Sequence, residues 1–287
     1  MKVLKSIGTL LIALIILSGC DVDKTINKVD SLVSSISEIT KSSTPEIKNS
    51  KSDLNLIDSD TNSENYAYIN NNQTNLNHED KSMLNDNGND KFWAKYSDLD
   101  KYGRSGEVTA LITNEAVQKH SSKAQKRPSF DYDIHVAGEY KDGKYNANKQ
   151  TWEGNKSNNQ ILQLDGYRGY IYNKSHSLAW SLGGDMETHN LTLGTRAQNV
   201  GTNKDLEGGG MGYPETQVRN AIYNRPNTKV FYQVTPVYKN KELVPRGTHV
   251  RAYSINDKGK TVNLNVWISN KQKGVQIDYS NGTYKEH

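Results

Sequence analysis

Cysteine is almost absent from this sequence, since Cys20 is the only one among 287 residues. An internal disulfide is therefore excluded, and so is any metal or redox site that is built on paired cysteines. The sequence also contains no GxSxG nucleophile motif. The glycine run "EGGGMG" at 207–212 lacks the GK[ST] ending of a phosphate-binding loop. Several common catalytic frameworks are thus ruled out.

Long apolar runs are missing except at the start of the chain. The eleven residues "IGTLLIALIIL" at 7–17 follow Lys2 and Lys5 and are too short to span a bilayer as a helix. A basic start and a short apolar run are typical of an export signal. The next residues, "SGC" ending at Cys20, resemble a bacterial lipobox, in which the cysteine is lipidated and becomes the new N-terminus. We therefore predict a lipoprotein signal peptide at 1–19 and lipidation of Cys20; the alternative is a plain secretory signal with an incidental cysteine.

The charge of the chain changes sign near residue 90. Residues 21–90 contain 13 acidic and 6 basic side chains and few aromatic ones. Segments as polar as "IDSDTNSEN" bury too little apolar surface to offset the entropy of ordering. We therefore predict a disordered acidic tether over 20–90.

The remainder, 91–287, is basic and contains all four tryptophans. It has 28 Lys and Arg against 19 Asp and Glu. Such a domain attracts polyanions and offers rings on which bases can stack, although many exported basic domains bind nothing acidic. Nucleic acid is thus one candidate partner.

Residue patterns in 91–287 predict one α+β domain with a mixed or antiparallel sheet. Alternating and β-branched residues predict a strand at 107–112, and a capped polar stretch predicts a helix at 113–125. A second helix is expected at 216–223, because Pro214 and Glu215 suit its first turn. Three further strands are predicted at 229–240, 243–255 and 261–270.

The stretch at 169–200 contains polar side chains where a strand is expected to end. His176 follows the strand-like "GYIYN", and a polar cluster at a strand end is a frequent place for site residues. Cleaving a phosphodiester requires a base for water and positive charge near the phosphate. A hard cation such as Mg²⁺ keeps most of its waters and needs few protein ligands. His176, Asn199 and Glu215 supply a base, an amide oxygen and a carboxylate, but residue types alone do not specify this chemistry.

The order of motifs in this region resembles the bacterial DNA/RNA non-specific endonucleases. In that family of ββα-metal, or His-Me finger, nucleases, the signature reads Asp-Arg-Gly-His or Asn-Arg-Ser-His, and "NKSH" at 173–176 is similar to the second form. "NLTLGTRAQN" then supplies two asparagines nine positions apart, Asn190 and Asn199. "GGMGYPETQVRNAI" is similar to the loop and helix that carry the family's glutamate, here Glu215. The resemblance extends from 96 to 282, and it implies a ββα-metal nuclease core.

The resemblance implies a role for each of these residues. His176 would be the general base that deprotonates the attacking water. Asn199 would be the direct ligand of a Mg²⁺ or Mn²⁺ ion, and Glu215 would orient a metal-bound water. Asn190 would support the histidine or the phosphate geometry.

Three cations are expected to contact the substrate: Arg196, Lys174 and Arg127. Lys174 stands where the family has an arginine and so lacks the bidentate fork. Asn173 stands where many members have an aspartate, although an amide can still hydrogen-bond to the histidine. These departures place the role of Lys174 in question and predict a shifted pH optimum.

The leading hypothesis is an endonuclease that acts on extracellular DNA or RNA, anchored by lipid to the outer face of the cell membrane or released from it. One alternative is a non-catalytic DNA-binding lipoprotein, which would keep the basic domain but would not need the histidine, asparagine and glutamate together. The other is a contact-dependent toxin, which a lipobox does not favour. Oligomeric state is left open by the sequence.

Overall fold

The computed structural model describes residues 46–58, 66–164, 167–201 and 209–286. The predicted signal peptide, Cys20 and the first part of the predicted tether lie outside the described residues. Among the residues that are described, no helix is both long and apolar enough to cross a membrane.

Five α-helices and fourteen strands form in the described residues. The helices are α1 (Lys51–Asp58), α2 (His78–Asn87), α3 (Asn114–Lys119), α4 (Arg196–Val200) and α5 (Gly212–Asn224). The strands are β1 (Tyr66–Tyr68), β2 (Trp93–Tyr96), β3 (Val108–Ile112), β4 (Lys144–Asn146), β5 (Thr151–Glu153), β6 (Ile161–Leu164), β7 (Tyr167–Tyr170), β8 (Tyr172–His176), β9 (Leu191–Thr195), β10 (Val230–Val237), β11 (Gly247–Ser254), β12 (Asn263–Ser269), β13 (Val275–Asp278) and β14 (Thr283–Glu286).

Six strands form the central sheet, in the order β1-β12-β11-β10-β3-β2. Every neighbouring pair is antiparallel, which confirms the expected α+β architecture and the strands predicted around β3 and β10 to β12. The other strands pair as four separate hairpins: β4–β5, β6–β7, β8–β9 and β13–β14. The predicted helix at 113–125 is shorter than expected and ends at Lys119.

One face of the sheet is covered by α5 and α3. Val218 and Ile222 of α5 are fully buried, and their spacing of four residues places both on the helix side that faces the sheet. They join an apolar cluster with Val230 and Val250 of the central strands and Val117 of α3. This packing fixes α5, which carries Glu215, against the sheet.

The other face is covered by residues that precede position 91, so the folded region is longer than the sequence predicted. Leu84 of α2 packs with Leu111 and Phe231 of the sheet. Asp80, only 2% exposed, accepts hydrogen bonds of 2.7 Å from Arg251. Asn77 and Asp80 also form a capping box that starts α2.

Residues 46–58 and 66–90 are therefore not a tether. Strand β1 extends the sheet by pairing with β12, and the Asp53 carboxylate lies 2.8 Å from Nδ1 of His249. The composition of this segment was misleading because its polar side chains find partners on the sheet. Such partners reduce the apolar burial that the segment needs in order to fold.

A two-stranded hairpin followed by a helix, β8–β9–α4, lies beside the central sheet. Tyr172 pairs with Thr195 and His176 with Leu191, so the two strands are in register over their full length. Helix α4 follows β9 directly, with the Thr195 side chain as its N-cap. This ββα unit carries His176 and Asn199.

Candidate active site

His176 is the last residue of β8 and is only 8% exposed. Its ring stacks on Phe130 with a centroid distance of 5.5 Å, and its Nε2 lies 3.3 Å from Sδ of Met186. Burial, and after it the nearby Arg127 charge, lower the pKa of His176 to about 4 against the opposing effect of Asp185. The imidazole is therefore neutral at pH 7 and able to accept a proton.

Asn199 lies on α4 and packs against β8. Its Oδ1 accepts a hydrogen bond of 3.1 Å from Ser175 Oγ, and its Nδ2 donates to Oδ1 of Asn173 at 3.4 Å. Helix α4 ends at Val200, one residue after Asn199, because Gly201 adopts a φ of +77° that residues other than glycine rarely adopt. The amide of Asn199 is thus held beside the strand that ends at His176.

Glu215 lies in the first turn of α5. Burial raises the pKa of Glu215 to about 8, and Arg219 and then Arg127 oppose that shift. Arg219, one helical turn later, donates to Ser181 Oγ and Thr216 Oγ1, both at 3.2 Å. A nearby divalent cation would favour the ionised form of this carboxyl.

His176, Asn199 and Glu215 converge on one cleft of about 580 Å³, together with Arg127 and Lys174. Five of the seven predicted site residues other than Cys20 therefore line the same cavity. The cleft is also lined by residues that the sequence did not indicate, among them Arg219, His120, Gln125, Trp180 and Tyr223.

Asn190 does not line this cleft. It is fully buried, and its Nδ2 donates to the backbone oxygens of Leu178 and Asp185, both at 2.9 Å. Its Oδ1 accepts from the backbone N–H of Leu178 at 2.8 Å. Asn190 therefore fastens the loop that follows His176, so it supports the histidine indirectly.

Arg196 is also outside the cleft lining. Its guanidinium carbon lies 5.7 Å from the centre of the Tyr167 ring. Its Nε is buried and makes no hydrogen bond to any residue that the structure describes. Arg196 therefore faces the β6–β7 hairpin beside the site.

Lys174 lines the cleft, but its ammonium group also contacts other groups of the protein. The ammonium donates to the Ile134 carbonyl and lies 3.5 Å from a Glu139 carboxylate oxygen. It also lies 5.6 Å from the centre of the Phe130 ring, which Arg127 approaches to 5.4 Å. The Phe130 ring therefore contacts the His176 ring and lies close to both cations.

Phe130 and Arg219 are not among the site residues that the sequence predicts. Arg219 had a detectable signal, because it lies four residues after Glu215 on a predicted helix and so faces the same side. Phe130 had none, since it is 46 residues from His176 and reaches it only in the folded chain.

The donor groups in the cleft fit a hard divalent cation. The amide oxygen of Asn199 and the carboxylate of Glu215 are oxygen donors, which Mg²⁺ and Mn²⁺ prefer. No group of three or more His, Cys, Asp or Glu in the described ranges is arranged to hold a metal. The residues therefore suit a cation that keeps most of its waters.

Comparison of this chain with known proteins identifies the class of nuclease to which its fold and site belong. Residues 146–256 match the model of the DNA/RNA non-specific endonucleases. The Sda1 nuclease, solved with a bound zinc ion, is 32% identical, with 68% of this chain and 81% of that chain covered and a TM-score of 0.58. The chain therefore belongs to the DNA/RNA non-specific endonuclease family.

Two further relatives extend the comparison. A deoxyribonuclease of Streptococcus dysgalactiae subsp. equisimilis is 31% identical over 199 residues, which is 65% of this chain. The aligned region spans 59% of that relative's length. NucA from Streptococcus agalactiae, solved with magnesium, has the same fold, with 23% identity, 84% of this chain and 98% of that chain covered, and a TM-score of 0.55.

Proposed function

We propose that this chain is a metal-dependent endonuclease that hydrolyses phosphodiester bonds of extracellular nucleic acid, with DNA as the main substrate. The observation that carries the proposal is the convergence of His176, Asn199 and Glu215 on one cleft. The sequence resemblance assigns the same three residues to one reaction, which supports the proposal.

His176 acts as the general base in this proposal. Its neutral ring takes a proton from the water that attacks the phosphorus, and the new P–O bond displaces the leaving oxygen of the substrate. The stacked Phe130 ring and the loop that Asn190 fastens hold the imidazole in one orientation. A fixed base of this kind contributes about 10²–10⁴-fold to the rate.

Asn199 would hold a Mg²⁺ or Mn²⁺ ion directly, and Glu215 would hold its bound waters. When bound, such an ion supplies positive charge beside the scissile phosphate. Zinc and magnesium in the two solved relatives belong to those proteins, and the choice of Mg²⁺ or Mn²⁺ here rests on the oxygen donors.

The cations around the cleft position the substrate. Arg127 lines the same cleft as His176 and Glu215, and its charge lowers the pKa of both groups. Lys174 is the weaker phosphate contact because Glu139 lies 3.5 Å from its ammonium. Arg196 serves a phosphate outside the cleft.

The proposed location is the outer face of the cell membrane, with Cys20 lipidated. Metabolic labelling with a palmitate analogue tests this. The wild type should be labelled, while Cys20→Ala should be unlabelled and appear in the medium. Wild-type protein that is unlabelled and wholly cytosolic would contradict the location.

The activity is tested by incubating purified chain with plasmid and with RNA, in Mg²⁺, in Mn²⁺ and in EDTA. We expect nicking and linearisation of plasmid in either metal and none in EDTA. Asn199→Ala should require much more metal than Asn148→Ala, a matched change on an exposed loop. Binding of DNA without cleavage in any metal would instead support the non-catalytic DNA-binding alternative.

A further inference from the structure

The cleft continues past the proposed catalytic residues along helix α5. Glu215, Arg219 and Tyr223 follow one another at intervals of four residues on this helix, and all three line the cleft. At a rise of about 1.5 Å per residue, Tyr223 lies about 12 Å from Glu215 along the helix axis. The cleft is therefore longer than the site that His176, Asn199 and Glu215 form.

Three aromatic side chains line this continuation of the cleft. The His120 ring meets the Trp180 ring edge to face, with a centroid distance of 4.5 Å. Trp180 precedes Ser181, whose Oγ accepts a hydrogen bond of 3.2 Å from Arg219, so the turn that carries Trp180 is joined to α5 one helical turn past the glutamate. Tyr223 is 39% exposed and lines the same cleft. We call His120, Trp180 and Tyr223 the aromatic subsite.

His120 is held in one orientation and has an unused nitrogen. Its Nδ1 lies 2.9 Å from the Ala116 carbonyl oxygen, which can only accept, so Nδ1 carries the hydrogen. Its Nε2 makes no hydrogen bond to any residue in the described ranges. The neutral ring therefore keeps Nε2 as an acceptor on a residue that lines the cleft.

The aromatic subsite and Arg219 together match a nucleotide. The Arg219 guanidinium donates to the hydroxyls of Ser181 and Thr216 and forms no salt bridge with any residue that the structure describes. Its charge is therefore left for an anion such as a phosphate. An exposed tyrosine ring offers a face on which any base can stack.

We infer that the aromatic subsite binds one unpaired base of the substrate, which stacks on Tyr223 while the same strand runs along α5 to the scissile phosphate at His176. Nε2 of His120 accepts from an N–H of that nucleotide or, in RNA, from its 2′-hydroxyl. A base in a duplex must leave its stack before it can lie on a side chain inside a cleft. This inference rests on the proposed function and adds to it a preference for unpaired strands.

The test compares oligothymidylate with an abasic oligomer of the same length, which has the same phosphates and no bases. The ratio of kcat/KM for the first to kcat/KM for the second measures what the bases contribute. In Tyr223→Ala this ratio should fall about tenfold, as expected for one lost stacking contact. Tyr223→Phe keeps the ring and should keep the ratio. Tyr170→Ala, which changes a tyrosine that is 54% exposed and outside the cleft lining, is the matched control.

Two further measurements sharpen the test. His120→Phe keeps a ring beside Trp180 but removes Nε2, and it should lower the ratio about threefold, as expected for one hydrogen bond. Pairing the oligothymidylate with oligoadenylate should make kcat/KM much less sensitive to Tyr223→Ala. Equal losses on the single strand, the duplex and the abasic oligomer would overturn the inference, because the ring would then only shape the cleft. An unchanged ratio in Tyr223→Ala would also overturn it.

A binding assay separates failure of this inference from failure of the proposed function. Affinity for oligothymidylate, measured by anisotropy in EDTA, should weaken about tenfold in Tyr223→Ala and stay near the wild-type value in Tyr223→Phe, whether or not the chain cleaves it. A wild type that shows this dependence but cleaves nothing in any metal would refute only the proposed function. A wild type that cleaves normally but whose affinity is the same in Tyr223→Ala would overturn only the inference.

Discussion

The two sides of the central sheet use the same kinds of side chain in opposite ways. On the side covered by α1 and α2, Arg251 is paired with Asp80, and His249 contacts both Asp53 and Asn265 at 2.8 Å. In the cleft, Arg127 and Arg219 form no salt bridge with any residue that the structure describes. Paired charges fix an otherwise polar segment to the domain, whereas cations without carboxylate partners are available to a polyanionic substrate. Charge type alone therefore does not distinguish a stabilising face from a binding face.

The largest effect is expected for His176→Ala, which acts only on the cleft side. The rate of plasmid cleavage should fall about 10²–10⁴-fold because the general base is lost, while DNA affinity is retained. Added imidazole should restore part of the rate by entering the space that the ring leaves. His78→Ala, an exposed histidine on α2, is the control. Cleavage by His176→Ala at the wild-type rate would remove His176 from the mechanism.

Asp80→Ala should act on the opposite side and affect stability. Arg251 would be left largely buried without its counter-ion, and we expect a loss of about 3 kcal/mol in the free energy of unfolding. Urea denaturation measures this, with Asp86→Ala, an exposed change on the same helix, as the matched control. The kcat of the folded variant should stay within about twofold. Equal stability of the two variants would mean that α2 does not depend on this pair.

Leu84→Ala tests the small apolar contact of the same segment. We expect a loss of about 2 kcal/mol, at the low end for a buried leucine, because its cluster among the described residues is small: Leu111 and Phe231 are buried, and Leu76, Trp93 and Ile255 are partly buried around them. Amide exchange in residues 78–87 should accelerate more than exchange in β10. Uniform acceleration throughout the domain would show instead that the segment and the sheet unfold as one unit.

The smallest effect concerns the pKa of His176. NMR titration of the metal-free chain should show its ring protonating near pH 4, well below the ordinary value of 6.5, because of burial and Arg127. Arg127→Gln should raise this pKa, since it removes the repelling charge. The unfolded chain binds the proton at higher pH than the folded one, so the stability due to the neutral ring falls as pH drops from 6.5 towards 4. An unperturbed midpoint would contradict the burial of this imidazole.

Local patterns predicted much of the sheet and one helix correctly. Apolar and polar residues alternate along β10 and β11, and a proline stands in the first turn of α5. Both patterns lie within short stretches of sequence, so they could be recognised without the fold. The folding of residues 66–90 onto the sheet could not be recognised in this way, because Asp80 pairs with Arg251, which is 171 residues away in the sequence. Composition counts the charges of a segment but carries no information about distant partners.

The candidate site shows the same division. The motif order identified His176, Asn199 and Glu215, and the fold brings them to one cleft with Arg127. It separates two others from that cleft, since Asn190 binds the backbone of the loop after His176 and Arg196 turns to Tyr167. No local sequence pattern predicted the contact between Phe130 and His176.

The sequence by itself determined which chemical groups are available, which segments form strands and helices, and which family the motifs belong to, because each depends on residue type and short spacing. Only the tertiary structure decided which charges are neutralised and which are left for a ligand. The physical reason is that the pKa of His176, the pairing of Asp80 and the unused donor of Arg196 depend on burial and on partners far away in the chain.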